Sequence, residues 1–136
     1  MEADIVDLIG NTPLIKLKYP SEITGCNIYG KAEFLNPAGS VKDRAALGII
    51  LEAEKNKEIE KGGTLVEGTF GNTGIAFAMI NNARGYKTII VMPDNASNEK
   101  RDILRNMGAD LKIVESLPYS DSGNYQHVSR KLALEL

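Results

Sequence analysis

From residue 64 to residue 114 the sequence alternates short apolar runs with longer segments of helical periodicity. The predicted order is strand 64–67, helix 73–84, strand 88–92, helix 97–107 and strand 111–114. Strands that alternate with helices form parallel sheets with right-handed crossovers, so this region predicts an α/β fold. We expect a three-layer domain in which a short parallel sheet is flanked by helices. The two β-branched runs, 88–92 and 111–114, predict strands that are buried on both faces.

Before residue 36 the predicted elements are shorter. A short helix is predicted around residues 4–9, and the turn 10–13 then leads into a strand over 14–17. A second strand is predicted over 27–34.

A turn over residues 36–39 precedes a long helix. Ser40 and Asp43 have the spacing of a capping box, with Ser40 as the N-cap residue. The helix is expected to run to about Glu60, since Gly62 and Gly63 follow shortly after. Glu54 is placed to pair with Lys57 three residues later, and Lys57 and Lys61 carry the positive charge that favours a helix C-terminus.

The last segment, residues 124–136, predicts an amphipathic helix. Its apolar positions are Tyr125, Val128, Leu132 and Leu136. His127 lies beside a polar face of this helix and is expected to be solvated rather than a metal ligand. We expect residues 1–136 to form a single α/β domain.

Composition and charge restrict the class of partner. Sixteen basic residues against 18 acidic ones leave a net charge of −2, which argues against binding to nucleic acid or to an anionic membrane. Cys26 is the only cysteine, so an internal disulfide and a cysteine-based zinc site are excluded, and we expect a small buried thiol. The N-terminus lacks the features of a signal peptide and no run of about 18 apolar residues occurs, so we expect a cytoplasmic protein.

Ligands of open α/β sheets bind beyond the carboxyl ends of the strands, where the chain turns into a helix. One such turn places Lys42 in the first turn of a helix. A cation there opposes the helix macrodipole, and burial would add to the preference for the neutral amine that attacks an aldehyde. The simpler interpretation, a solvated lysine beside a capping box, stays open on this segment alone.

The second turn, over residues 67–74, is a glycine-rich loop that leaves a strand and opens a helix. Its backbone N–H groups could hold a carboxylate or a phosphate. It has neither the dinucleotide-binding nor the P-loop spacing. Helix capping by Asn72 and Thr73 is the alternative.

Together the two turns are more specific than either one. The motifs are GNTPL at 10–14, NPAGSVKDR at 36–44, GNTGI at 71–75 and MP at 92–93. In this order they resemble the cysteine synthase and cystathionine β-synthase branch of the fold-type II pyridoxal-phosphate (PLP) enzymes. The resemblance covers at least residues 5–115, and it implies the small α/β domain of that fold.

The resemblance also implies roles for particular residues. The lysine that matches Lys42 binds PLP as a Schiff base and moves the Cα proton, and the asparagine that matches Asn72 bonds the cofactor's ring hydroxyl. The substrate carboxylate is held by the loop that corresponds to Thr69, Phe70, Gly71, Asn72 and Thr73. The implied reaction is a β-replacement in which an activated serine such as O-acetylserine exchanges its β-substituent for sulfide or another thiol. No metal is implied.

Two departures from the family pattern affect this expectation. Phe70 stands where the family usually has a serine, which exchanges a hydroxyl donor for an apolar ring. The family's phosphate-binding loop lies in a second domain, and part of the segment 14–34 joins that domain. We therefore expect impaired catalysis and a homo-oligomer, and a non-catalytic α/β binding or assembly module remains the alternative.

Overall fold

The computed structural model describes residues 3–136 and contains two sheets. Two antiparallel strands, β1 (Leu14–Lys16) and β2 (Tyr29–Lys31), form the smaller sheet, and β1 pairs along its whole length with β2. Helix α1 (Lys18–Thr24) connects them. The sequence did not predict α1, and β2 is shorter than the predicted strand 27–34 because a 3-10 helix, Glu33–Leu35, takes the end of that segment.

The larger sheet is parallel, with the strand order β3-β4-β5. Its strands are β3 (Thr64–Gly68), β4 (Lys87–Pro93) and β5 (Asp110–Val114). Its crossover helices are α3 (Asn72–Arg84) and α4 (Asn98–Asn106), and α5 (Tyr125–Leu134) follows the last strand. The α/β fold with a short parallel sheet between helices is therefore confirmed.

The two faces of the larger sheet carry different helices. Ile90 and Met92 of β4 are completely buried and pack in one cluster with α3 and α4. Side chains alternate along a strand, so Val91 points to the other face. Gly68, its partner in β3, approaches Ser129 of α5 there. Helix α5 thus covers the face opposite α3 and α4.

Strand β5 differs from its prediction. Asp110, Lys112 and Ile113 are exposed, so this strand is not buried on both faces. The reason is its position at the edge of the sheet, where β4 is its only neighbour among the described strands. The prediction of burial on both faces is confirmed for most of β4 and wrong for β5.

Helix α2 (Lys42–Lys55) ends earlier than predicted. Lys57 adopts a left-handed backbone with φ of 60°, and the N–H groups of Lys57 and Glu58 bond the carbonyls of Glu54 and Ala53. This is a Schellman ending that uses lysine where glycine is usual. The predicted pair of Glu54 with Lys57 is also wrong, because the Glu54 carboxylate binds Arg84 of α3.

One further prediction needs correction. Cys26 is exposed rather than buried, because it lies just after Gly25, where α1 ends at the surface. His127 is partly exposed, and its Nε2 lies 2.7 Å from the carbonyl oxygen of Tyr119. The 3-10 helix Ile5–Leu8 confirms the short N-terminal helix. Among residues 3–136, no helix combines the length and apolarity needed to cross a bilayer.

Candidate active site

Asn36 braces the turn that leads to Lys42 from the inside. Its buried side chain donates to the backbone carbonyls of Glu33 at 2.9 Å and Ser40 at 3.0 Å. Its Oδ1 accepts the N–H of Gly10 at 2.9 Å. Gly39 supplies the left-handed backbone, with φ of 80°, that lets the chain reverse. The turn is therefore fixed by hydrogen bonds on the side that faces the protein.

The start of α2 is not the predicted capping box. Val41 is the N-cap residue and caps no N–H group with its side chain. The Ser40 hydroxyl accepts the backbone N–H of Lys42 at 3.1 Å. The Asp43 carboxylate is fully buried and accepts the N–H of Ala38 at 2.6 Å. The turn folds back over Asp43, so this carboxylate braces the turn and does not bond the backbone of Ser40.

Lys42 is the first residue of α2 and its side chain is exposed. The burial that the sequence argument invoked is therefore not seen. Within residues 3–136, no carboxylate lies within 4.0 Å of its ammonium group. Among the described residues, Lys42 therefore stands at the N-terminal end of α2 without an ion-pair partner.

The second predicted turn connects β3 to α3. Thr69 continues the sheet, since its N–H donates to the carbonyl of Val91 at 3.0 Å. Gly71 is the N-cap residue of α3, and across the described residues no side chain accepts the first N–H groups of this helix. The alternative in which Asn72 and Thr73 cap the helix is therefore wrong. Their N–H groups remain available to an anion.

Two glycines of this loop permit close packing. A Cβ atom on Gly71 would lie 2.6 Å from Cδ and 2.8 Å from Nζ of Lys100, and one on Gly74 would lie 2.8 Å from Cγ2 of Thr69. A side chain at Gly74 would push against Thr69, whereas one at Gly71 would displace the flexible end of the Lys100 side chain. Lys100, in the first turn of α4, thus lies directly over the loop. Sequence reasoning missed Lys100, because nothing in the sequence connects α4 to this loop.

Phe70, at the departure from the family pattern, is 44% exposed. Its ring packs edge-to-face against Tyr125 of α5, with the ring centroids 5.2 Å apart and the planes at 85°. Such aromatic pairs contribute about 0.5 to 1.5 kcal/mol beyond the burial of area. The ring that replaces the usual serine is therefore held by the helix on the opposite face of the sheet.

The structure brings the two turns to the same end of a helix pair. The Arg84 side chain of α3 binds Glu54 of α2, with Nη2 2.5 Å from Oε2. Each of these residues lies twelve positions after the first residue of its helix (54 − 42 and 84 − 72). The helices also pack side by side, since Ala46 of α2 and Ala76 of α3 lie in one core cluster, so they run in the same direction and Lys42 and Asn72 begin them at the same end.

Two surface cavities of the described residues are not lined by Lys42 or Asn72. One surface cavity of about 420 Å³ is lined by Lys16, Lys18 and Cys26. Another of about 370 Å³ lies between β3 and α5 and contains Glu67 and His127. Burial raises the pKa of the Glu67 carboxyl. In the part of the chain that is described, no group of three His, Cys, Asp or Glu side chains is arranged to hold a metal.

The residues at the two turns fit the aldehyde of a pyridine cofactor and the carboxylate of an amino-acid substrate. An amine without an ion-pair partner can condense with an aldehyde, and the uncapped N–H groups of α3 suit a carboxylate. Asn72 is exposed at the same end of the helix pair.

Comparison with known proteins supports this fit. The chain matches the pyridoxal-phosphate dependent enzyme family over residues 5–135. It is 48% identical over 130 residues to the cysteine synthase of Dictyostelium discoideum, an overlap of 96% of this chain and 34% of that protein. It is 55% identical over 106 residues to cysteine synthase B of Salmonella typhimurium, an overlap of 78% of this chain and 35% of that protein.

Solved structures agree. A crystal structure of O-ureido-L-serine synthase superposes with a TM-score of 0.90 at 39% identity, which covers 99% of this chain and 42% of that one. A hydrogen sulfide-producing enzyme from Fusobacterium nucleatum superposes with a TM-score of 0.79 at 37% identity, which covers 99% of this chain and 42% of that one. The small-domain fold implied by the motifs is thus confirmed.

The chain spans about a third of the length of the curated relatives it matches. The family match nevertheless includes both turns, the helices they open and all five strands. It also confirms the predicted cofactor class, pyridoxal phosphate. With 131 of 136 residues inside the match (135 − 5 + 1), this chain belongs to the pyridoxal-phosphate dependent enzyme family.

Proposed function

We propose that this chain carries the lysine and the carboxylate loop of a cysteine synthase-like site that performs β-replacement on an activated serine. The observation that carries the proposal is the placement of Lys42 and the Asn72 loop at the same end of two helices that run in the same direction. The substrate class is an amino acid such as O-acetylserine, and the incoming nucleophile is sulfide or a thiol.

Each residue has a distinct task in this proposal. Lys42 holds the cofactor covalently and later moves the proton at the substrate Cα, for which its amine must be neutral. Asn72 donates its amide to the cofactor's ring oxygen. The N–H groups of the loop from Thr69 to Thr73 hold the substrate carboxylate at the positive end of α3. Pyridoxal phosphate, when bound, supplies an electron sink for the negative charge that develops at the substrate Cα.

We expect turnover by these 136 residues alone to be low. Lys42 is exposed, and a site open to water loses much of the electrostatic advantage of an enclosed one. Phe70 also removes a hydroxyl donor beside the proposed carboxylate site. These two observations favour the second candidate function, a non-catalytic α/β module that retains the fold for binding or assembly.

Turnover separates the two candidates. The purified chain is incubated with PLP, O-acetylserine and sulfide, and newly formed cysteine is quantified. Lys42→Ala should reduce the rate by about a hundredfold or more if Lys42 moves the proton. Lys55→Ala, at the opposite end of α2, is the matched control and should retain the wild-type rate. Cysteine formation that is equal in both variants would reject the proposal, and a wild-type chain without turnover would favour the non-catalytic module.

The proposed setting is a homo-oligomer in the cytoplasm. Large apolar side chains are exposed along the N-terminal part of the chain, including Leu14, Ile23 and Phe34. Exposed apolar surface of this kind favours association. Size-exclusion chromatography coupled to light scattering should show a multiple of 14.8 kDa, and a monomer at all concentrations would contradict the proposed oligomer.

A further inference from the structure

Arg44, two residues after Lys42, is held along one edge of its guanidinium group. Its Nε lies 2.8 Å from Oε2 of Glu33, and its Nη2 lies 3.1 Å from Oε1 of the same carboxylate. Nη2 also donates to the hydroxyl of Thr12 at 3.1 Å, and that hydroxyl donates to Glu33 at 2.7 Å. Two-point contact between arginine and a carboxylate fixes orientation as well as charge. We call these three residues the Arg44 clamp.

The clamp joins segments that are distant in sequence. Thr12 is buried and belongs to the turn before β1, and Glu33 opens the 3-10 helix after β2. The approach is close, since a Cβ on Gly10 would lie 3.0 Å from Nη1 of Arg44. Asn36 extends the network, because its amide donates to Oε2 of Glu33 at 2.8 Å. The clamp therefore connects the N-terminal segments to the turn that ends at Lys42.

The position of Arg44 is costly unless the clamp compensates for it. A second cation in the first turn of α2 opposes the macrodipole as Lys42 does, by about 0.3 to 1 kcal/mol. Glu33 neutralises this charge, and the Arg44 guanidinium holds the pKa of the Glu33 carboxyl at about 2. The two carboxylates near the start of α2 are thus engaged elsewhere, Glu33 by Arg44 and Asp43 by the N–H of Ala38.

We propose that Arg44 is a positioning residue for Lys42, because its clamp on Glu33 and Thr12 fixes the turn over residues 36–41 and keeps the Glu33 carboxylate engaged. This inference rests on the proposed function, in which Lys42 binds the cofactor. Misplacement of a reacting group by about 1 Å can cost up to about a hundredfold in rate. Loss of the clamp should therefore slow the reaction of Lys42 much more than it destabilises the fold.

The chain offers a matched control at the other end of α2. Arg84 binds Glu54 there, and the Tyr86 hydroxyl donates to the same carboxylate at 2.7 Å. Arg44→Met and Arg84→Met each remove one arginine from one ion-paired network of α2. The first measurement is the rate at which the full chain forms a borohydride-stable adduct with PLP at Lys42, followed by peptide mass. The second is hydrogen–deuterium exchange of the peptide over residues 33–44 without PLP.

Arg44→Met should slow adduct formation by about tenfold or more and raise exchange across the turn. Arg84→Met should leave both readouts at the wild-type level, although its thermal midpoint should fall by about as much as that of Arg44→Met. Thr12→Val, which removes the hydroxyl at nearly constant volume, should give an intermediate rate, and Thr12→Ser should restore it.

Two results would overturn the inference. One is a wild-type adduct rate in Arg44→Met, and the other is an equal loss in Arg84→Met, which would indicate general destabilisation. If the wild-type chain forms no adduct at Lys42, the proposed function fails, and exchange alone then decides whether Arg44 fixes the turn. Unchanged exchange in Arg44→Met would reject that role as well.

Discussion

Two parts of this chain are held together by different forces. In the sheet unit, residues 64–114, Ile80, Ile90 and Leu104 are completely buried, and the strands are five to seven residues long. In the N-terminal unit, residues 14–41, the strands are three residues long, and apolar side chains such as Leu14 of β1 and Ile23 of α1 are largely exposed. Apolar burial stabilises the first unit, and the polar clamp connects the second unit to α2.

The largest difference between the two units should appear when an isoleucine is replaced by alanine in each of them. Ile90 is 0% exposed and Ile23 is 66% exposed. Ile90→Ala should lower the free energy of unfolding by about 2 to 5 kcal/mol, because it leaves a cavity in the core. Ile23→Ala should change it by less than about 0.5 kcal/mol. Urea unfolding followed by circular dichroism measures both.

Similar losses in the two isoleucine variants would break the comparison. They would mean that the exposed apolar side chains of the N-terminal unit contribute to stability as core residues do.

A pair of glycine variants should have effects of opposite sign. A Cβ on Gly68 would lie 2.5 Å from Oγ of Ser129 and 2.9 Å from the carbonyl oxygen of Tyr125. Gly68→Ala should therefore push α5 away from β3 and cost about 1 to 3 kcal/mol. A Cβ on Gly48, inside α2, would meet no atom within 4 Å. Gly48→Ala should stabilise the fold by up to about 1 kcal/mol, because alanine is the better helix former.

Thermal unfolding of the two glycine variants and the wild type gives the sign of each effect. A tolerated Gly68→Ala would show that α5 is not packed closely on the sheet.

The Arg44 clamp should give the N-terminal unit a distinctive response to acid. Its hydrogen bonds, first of all that from Arg44, lower the pKa of Glu33 from 4.5 to about 2. A lowered pKa means that the stabilisation is complete above pH 4.5 and is lost as the pH falls towards 2. The difference in unfolding free energy between wild type and Glu33→Gln should therefore shrink across that window. A difference that stays constant from pH 5 to pH 2 would contradict the clamp.

The smallest effect is expected at Glu67 in the sheet unit. Burial raises the pKa of this carboxyl above 4.5, so the folded state holds its proton more tightly than the unfolded state. The free energy of unfolding should then fall as the pH rises from 4.5 through the raised pKa of Glu67. Glu67→Gln should stabilise the chain slightly at pH 7 and have no effect below pH 4. Glu52→Gln, at an exposed position on α2, is the control and should leave the free energy of unfolding unchanged at both pH values.

The same division explains how much of the fold the sequence could predict. The strands and helices of the sheet unit lie within one or two residues of their predicted ends, because buried β-branched runs and glycine stops such as Gly85 give strong local signals. Helix α1 was missed, since Pro20 and the exposed apolar residues around it give no helical pattern. The end of α2 was misplaced because Lys57, not a glycine, takes the left-handed position.

For the candidate site, the sequence located the turns but not the contacts between them. The motifs around Lys42 and Asn72 predicted the turns that open α2 and α3, because glycine and proline mark such turns locally. The Arg44 clamp and the position of Lys100 over Gly71 depend on contacts between residues that are far apart in the chain. No periodicity or spacing records such contacts, so only the fold could reveal them.

The most direct test of this account identifies the lysine that PLP modifies. The full chain is incubated with a stoichiometric amount of PLP, reduced with borohydride, digested and mapped by mass spectrometry. The account predicts one adduct per chain, located on Lys42 and lost in Lys42→Ala. An adduct spread over exposed lysines such as Lys18 and Lys131, or one that persists in Lys42→Ala, would contradict it.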